Sequence, residues 1–202
     1  MKKSLLIALM SLWLSGCFST PAVTVNNICH LMDEEVSWYQ AVRATEKKYG
    51  APAHVQLAIM YQESRFQSDA KPPREKLLGV IPWFRPTTAY GFAQAVDNTW
   101  KWYQNDSGNR NADRDDFEDA IDFVGWYINK SRQQSGISKS DAYHQYLAYH
   151  EGHGGFNKRS YQSKPQLLKA ARSVERNAKR YQQQLEQCRS QLDSNRSWRW
   201  LW

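Results

Sequence analysis

The sequence predicts a mostly α-helical fold, and three segments carry this prediction. Residues 116–133, and the stretch that begins at Pro165, place apolar side chains three and four positions apart, as one face of a helix does. The segment that Pro52 opens is apolar on nearly every side, which is typical of a buried central helix. We identify no convincing strand. The sequence therefore predicts a single helical domain built around the helix that follows Pro52.

The other helical segments are bounded by helix-start and helix-end residues. Residues 34–49 have helical spacing and end at Gly50. Asp97 is expected to cap a helix that runs to about residue 104, and 138–141 resembles a capping box for a helix that ends near residue 150. Between these helices, residues 65–90 contain four prolines and lack helical period, so we expect a long loop or a small hairpin there.

Residues 1–16 have the features of a signal peptide. Two lysines precede an apolar run that is too short to span a bilayer. The run closes with Leu14-Ser15-Gly16-Cys17, which resembles the lipobox, whose cysteine sulfur carries a diacylglycerol. An ordinary secretory signal with a chance cysteine is the alternative. Because Phe18 rather than Asp follows Cys17, we expect an outer-membrane lipoprotein that faces the periplasm, with 17–31 as a tether.

Two further cysteines flank the predicted domain, 32–188. With Cys17 acylated, Cys29 and Cys188 are left as a pair in an oxidising compartment. A disulfide between them would join the two ends of the domain, and two free thiols are the alternative. The remaining segment, 189–202, is predicted to be a tail in which Trp and Arg interleave, suited to sugar rings or a membrane interface.

Three short motifs occur in a fixed order on the helical segments. Glu63-Ser64 ends the buried helix, Gly91-Phe92-Ala93-Gln94 opens the next structured segment, and Ala148-Tyr149-His150 ends a later helix. Together they resemble the E-S, G-L-M-Q and A-Y-N signatures of the SLT-domain lytic transglycosylases. The second motif has Phe-Ala in place of Leu-Met, and the third ends on His where Asn is usual. The resemblance covers roughly residues 50–160.

This resemblance implies a lysozyme-like domain of the goose-type or SLT kind that cleaves peptidoglycan glycan strands. In such enzymes one carboxylate, here Glu63, protonates the leaving oxygen between N-acetylmuramic acid and N-acetylglucosamine. It then takes a proton from the C6 hydroxyl, which closes a 1,6-anhydro sugar, and no cofactor is needed. Tyr149 would hydrogen-bond Glu63 or the sugar, and Gly91 would allow close approach of the backbone. The residues expected to bind the glycan are Ser64, Gly91, Gln94, Tyr149 and His150.

The placement of Glu63 agrees with this chemistry on its own terms. A glycosidic oxygen needs a proton from an acid that is still protonated near neutral pH, whereas glutamate in water has a pKa of about 4.3. An apolar helix end would desolvate Glu63 and raise that pKa. Residues 65–90 are expected to wall the substrate groove, with Trp83 and Phe84 as faces for sugar rings; packing onto the domain is the alternative.

Two other functions remain open. A hydrolytic muramidase of the same fold needs a second carboxylate, which Asp97 or Glu151 would have to supply. A peptidoglycan-binding lipoprotein without activity would fit the histidine at position 150. The formal net charge of +7 suits an anionic polymer, but nucleic acid is out of reach outside the cytoplasm. The histidines near Glu151 lack the spacing of a zinc site, so no metal is expected.

Overall fold

The computed structural model describes residues 25–74, 76–77, 81–82 and 85–198. Its elements in chain order are α1 (Ile28–Glu34), α2 (Val36–Tyr49), α3 (Ala53–Ser64), β1 (Lys76–Leu77), β2 (Ile81–Pro82), α4 (Asp97–Ser107), α5 (Phe117–Ser135), α6 (Ala142–Asn157), a 3-10 helix (Ser160–Ser163) and α7 (Pro165–Trp198). The two strands pair antiparallel, so the 65–90 segment holds a small hairpin. The predicted mostly α fold is confirmed. The predicted signal peptide, Cys17, Trp83, Phe84 and the last four residues lie outside the described residues.

Helix α3 is the central helix, as its composition predicted. Val55, Leu57 and Ile59 have no solvent exposure, because α7, α5, α2 and α6 all pack against α3. Pro52 precedes the helix in extended backbone, and Arg65 ends it in the left-handed region with φ of 56°. The packing of α3 therefore fixes its C-terminal end, where Glu63 lies, relative to four other helices.

The segment 17–31 was predicted to be a tether, but its last residues, from Ile28 onward, form the start of helix α1. The side chain of Asn27 accepts a hydrogen bond from the Cys29 amide and caps the helix. Ile28 and Met32 are fully buried, and α1 packs on α7. The predicted disulfide between Cys29 and Cys188 is present and closes a loop of 159 positions. In the chain-entropy model such a link stabilises the fold by about 5 kcal/mol.

Helix α7 continues beyond the predicted end of the domain. Leu192 is buried, and the hydroxyl of Tyr39 on α2 donates to the Asp193 carboxylate at 2.8 Å. The first residues of the predicted tail, 189–193, therefore belong to the helical domain. Within the described part of the chain, no helix is both long and apolar enough to cross a membrane.

One predicted helix boundary shifts by a residue, and another is confirmed. Val96, not Asp97, occupies the cap position of α4, and the Asp97 carboxylate instead pairs with Arg114 at 2.9 Å. Asp141 is the cap of α6, where it accepts from the His144 amide. The first helical segment of α6 breaks at a kink at Gly152, whose φ of 72° and ψ of 159° suit glycine, so the end predicted near residue 150 is confirmed, and a second helical segment runs on to Asn157. This kink lies at the functional site.

Candidate active site

A cleft of about 580 Å³ brings together most of the sequence-predicted site residues. It lies where the end of α3 meets α5, the kinked part of α6 and the segment that leads into α4. Its lining residues are Glu63, Pro72, Thr87, Ala89, Gln94, Ala95, Val96, Thr99, Phe123, Tyr127, Tyr149, His150, Glu151 and Gly152. A hollow of about 640 Å³ between the start of α6 and α7 contains none of the motif residues. The smaller cleft is therefore the candidate active site.

Glu63 is the acidic residue around which the cleft is built. The residue keeps partial exposure because its side chain faces the cleft, yet the surrounding helices remove most of its water. Burial raises the pKa of Glu63 to about 7, while a hydrogen bond from the Tyr146 hydroxyl to the carboxylate acts in the opposite direction. Burial has the larger effect because an ionised carboxylate loses its hydration in this position. Near neutral pH the side chain can therefore either donate or accept a proton.

Tyr146, not Tyr149, is the tyrosine that bonds Glu63. The Tyr149 hydroxyl, which was expected to bond Glu63 or sugar, donates to the Ala93 carbonyl at 2.6 Å. The Tyr149 ring lines the cleft and packs edge-on against Tyr127, with the ring centroids 5.0 Å apart. Tyr146 is not among the site residues that the sequence predicted. Its position three residues before Tyr149, on the same face of a helix, was the available signal.

Gly91 and Gln94 hold the backbone that borders the cleft. Gly91 has φ of 76°, and a Cβ there would lie 2.0 Å from the carbonyl oxygen of Arg114. The expected close approach is therefore to the protein's own backbone. The Gln94 amide donates to the carbonyls of Ala70 and Gly91, both at 2.8 Å. Gln94 thus links Ala70, near the start of the 65–90 segment, to Gly91, directly after its end, while it lines the cleft.

The 65–90 segment contributes part of the cleft wall, whereas the predicted role of Trp83 and Phe84 concerns residues outside the described part of the chain. Pro72, near the start of the segment, and Thr87 and Ala89, near its end, line the cleft. The segment begins with two successive residues in the left-handed region, Arg65 and Phe66, with φ of 56° and 60°. Such conformations cost energy for residues other than glycine and turn the chain sharply after Glu63.

Ser64 does not lie where the motif comparison placed it. The residue is only 4 % exposed, and its hydroxyl donates to the Met60 carbonyl at 3.3 Å within α3. It does not line the cleft. The side chain that follows Glu63 on the helix points into the core, because successive residues on a helix face different directions. Ser64 is therefore part of the packing behind Glu63 rather than of the cleft surface.

The two other carboxylates considered for the site have environments unlike that of Glu63. Asp97 lies outside the cleft and borders a separate hollow with its partner Arg114. Glu151 lines the cleft, but its side chain is only 4 % exposed and is engaged by Lys164. Burial acts to raise the pKa of Glu151, but hydrogen bonds from Lys164, Ser160 and His150 outweigh burial and hold that pKa at about 2. Glu151 is therefore ionised at any pH near neutrality.

The histidines of α6 have separate partners. His144 pairs with Asp141 at 2.7 Å, and His150 lies 3.1 Å from Glu151. His153 is buried behind the cleft wall, where its Nε2 lies 3.0 Å from the Ser131 hydroxyl. Among the residues that the structure describes, no three His, Cys, Asp or Glu side chains form a group that could hold a metal ion.

A family model matches most of the chain. The family model for the transglycosylase SLT domain matches residues 5–188. A comparison with curated proteins gave no match. The family has a lysozyme-like, α-rich fold, and its domain indicates a lytic-transglycosylase type of function directed at peptidoglycan. Since the match covers most of the sequence, the chain belongs to the transglycosylase SLT-domain family.

Proposed function

We propose that this chain cleaves the β-1,4 bond between N-acetylmuramic acid and N-acetylglucosamine, with Glu63 as the only acid and base. The products would end in 1,6-anhydro-N-acetylmuramic acid. The observation that carries this proposal is a carboxyl group that faces a cleft and whose pKa is raised to about 7. A general acid works best when its pKa lies near the working pH.

The proposed reaction uses the same carboxyl group twice. Protonated Glu63 donates its proton to the glycosidic oxygen, the bond from that oxygen to C1 breaks, and positive charge develops on the sugar. The carboxylate that remains accepts the proton of the C6 hydroxyl, whose oxygen forms the new bond to C1. Proton balance is restored at Glu63 and no water is consumed. A pKa near 7 suits both steps, because neither the acid nor the base form is strongly disfavoured.

The arrangement of the other carboxylates favours this route over hydrolysis. Hydrolytic glycosidases use two carboxyl groups that flank the scissile bond. Asp97 does not line the cleft. Glu151 lines it, but with a pKa of about 2 it is a weak base, and Lys164 contacts both of its oxygens. A single carboxyl group that can change its protonation state therefore faces the cleft among the residues described.

We also propose that the protein acts from the outer membrane, where an acylated Cys17 would anchor it on the periplasmic side. The support is the lipobox pattern in the sequence. Mass spectrometry of the mature N-terminus would show a diacylglycerol on Cys17. A Cys17→Ala variant should then leave the membrane fraction, and an unchanged distribution would contradict the anchor.

Product analysis of the Glu63→Gln variant tests the catalytic proposal. The amide has the shape of the acid but cannot deliver a proton, a step that contributes roughly 10²–10⁴-fold. The purified full-length chain in mild detergent would be incubated with sacculi, and the released muropeptides identified by mass spectrometry. We expect anhydro ends from the native chain and a loss of at least 100-fold in Glu63→Gln, with sacculus binding retained. Reducing ends as the main product would favour the muramidase, and equal release by both proteins would refute the role of Glu63.

A further inference from the structure

His150 stands at the position where the family signature has asparagine, and its neighbour Glu151 holds its ring. The His150 side chain is half exposed and lines the cleft that contains Glu63, and it also borders a second hollow with Tyr146 and Lys164. Its Nδ1 lies 3.1 Å from Oε1 of Glu151. The two side chains therefore form a histidine–carboxylate pair at the edge of the proposed active site.

The chemistry of Glu151 decides which ring nitrogen carries the proton. Lys164 donates to both carboxylate oxygens, at 2.7 and 3.0 Å, and Ser160 donates a third hydrogen bond. These bonds keep the buried carboxylate ionised, so it can only accept. The group that faces it at 3.1 Å must then be the Nδ1–H of His150. In the neutral form of the imidazole, which has one N–H, that proton is therefore on Nδ1 and Nε2 is unprotonated.

The Nε2 atom is consequently an acceptor without a protein partner. Among the residues that the structure describes, no side chain or backbone group is hydrogen-bonded to His150 Nε2. An asparagine at this position would offer both a donor and an acceptor, whereas a histidine in its neutral Nδ1–H form offers the cleft an acceptor alone. The substrate group that meets it must therefore be a hydrogen-bond donor.

Hydrogen bonds from neighbouring elements hold Glu151 in place behind His150. Ser160 also donates to the Gly155 carbonyl at 3.1 Å, and Lys164 directly precedes α7. The carboxylate of Glu151 thus ties the kinked end of α6 to the 3-10 helix and to the start of α7. At Gly152 the backbone leaves helical geometry immediately after Glu151. Ring orientation in binding sites is commonly set by a partner behind the ring that is itself hydrogen-bonded.

We propose that Glu151 is a positioning residue that presents Nε2 of His150 to the cleft as an acceptor for a hydroxyl or acetamido N–H of the glycan. This inference rests on the proposed function of the same cleft. In it His150 contacts the substrate, whereas Glu151 acts only through His150. The ion pair with Lys164 serves to keep Glu151 ionised and therefore an acceptor.

A double-mutant cycle tests whether Glu151 acts through His150. The variants are His150→Ala, Glu151→Gln and the double variant, all in the full-length chain, assayed for kcat and KM on sacculi. Loss of one substrate hydrogen bond and its orientation should lower kcat/KM in Glu151→Gln by roughly 3- to 10-fold, mainly through a higher KM. In the His150→Ala background the Glu151→Gln change should have a clearly smaller effect on kcat/KM, because only the loss of the bonds from Lys164 and Ser160 then remains. Glu186→Gln, at an exposed position of α7 outside the cleft, is the matched control.

Two results would overturn the inference. If the losses from His150→Ala and Glu151→Gln multiply in the double variant, Glu151 does not act through His150. The ¹⁵N chemical shifts of the His150 ring in the native chain give an answer that does not depend on whether any variant folds. The inference expects the Nδ1–H tautomer, and the Nε2–H tautomer refutes it. Cleavage that depends on Glu63 together with the wrong tautomer would leave the proposed function standing and remove this inference alone.

Discussion

Replacement of Glu63 by glutamine should stabilise the fold, and the gain should depend on pH. The pKa of Glu63 is raised from 4.5 in a solvated chain to about 7 in the folded protein. Ionisation is therefore easier in the unfolded state. The native protein has its full stability from this group below about pH 4.5 and loses it as the pH rises through 7. Glutamine does not titrate and escapes this loss.

The size of the effect follows from the two pKa values. One pKa unit corresponds to 1.36 kcal/mol, so the interval between 4.5 and about 7 corresponds to roughly 3 kcal/mol. Relative to the native protein, Glu63→Gln should gain about 3 kcal/mol in free energy of unfolding between pH 4.5 and pH 8.5. That amount is a large fraction of the total stability of an ordinary domain.

Urea unfolding of both proteins at pH 4.5 and pH 8.5 measures this gain. The comparison is a difference between two proteins at each pH, so the other titrating groups cancel. Glu186→Gln, at an exposed position of α7, reports the effect of removing one negative charge. A stability gap that is the same at both pH values, or that widens toward acid, would show that Glu63 is not desolvated as described.

Two further predictions concern the same structure. Tyr146→Phe removes the hydrogen bond that lowers the pKa of Glu63, so this pKa should rise by about one unit, and the alkaline limb of the pH profile of kcat/KM should shift to higher pH with it. Tyr161→Phe, outside the cleft, is the control. An unchanged alkaline limb in Tyr146→Phe would contradict the hydrogen bond between Tyr146 and Glu63. Replacing both Cys29 and Cys188 by serine should lower the free energy of unfolding by roughly 2–5 kcal/mol in denaturant titrations, whereas a change below about 1 kcal/mol would show that the link constrains little.

The sequence predicted the long helices well because their apolar faces are several turns long. The segment predicted over 116–133 became α5, Phe117–Ser135. Helix α1 was not predicted because its two buried residues, Ile28 and Met32, lie one turn apart and are too few to reveal a helical period. The extension of α7 past Cys188 escaped for a similar reason, since Leu192 is the single further core residue among the described side chains. A helical segment that places only one or two side chains in the core shows no apolar period in its sequence.

Within the site, the sequence identified the acid but not the side chains that surround it. Helix α3 is apolar on all sides, so its sequence does not show which flank opens to the cleft, and Ser64 was placed there wrongly. Whether Tyr146 or Tyr149 reaches Glu63 depends on how α6 packs against α3. Glu151 is bonded by Ser160 of the 3-10 helix and by Lys164, the residue before α7. These partners lie too far along the chain from Glu151 for a short motif to include them.

Helix α7, the last element in the described part of the chain, helps to enclose a site whose acidic residue lies far earlier, on α3. Helix α3, which carries Glu63, packs most extensively on α7, and α6, which supplies Tyr146, also packs on it. A chain in which α7 has not docked therefore has the glutamate but lacks part of the packing that desolvates it. We expect such a chain to keep a more solvated carboxylate with a lower pKa. The proposed activity would then arise only once the last described helix has folded onto the centre of the domain.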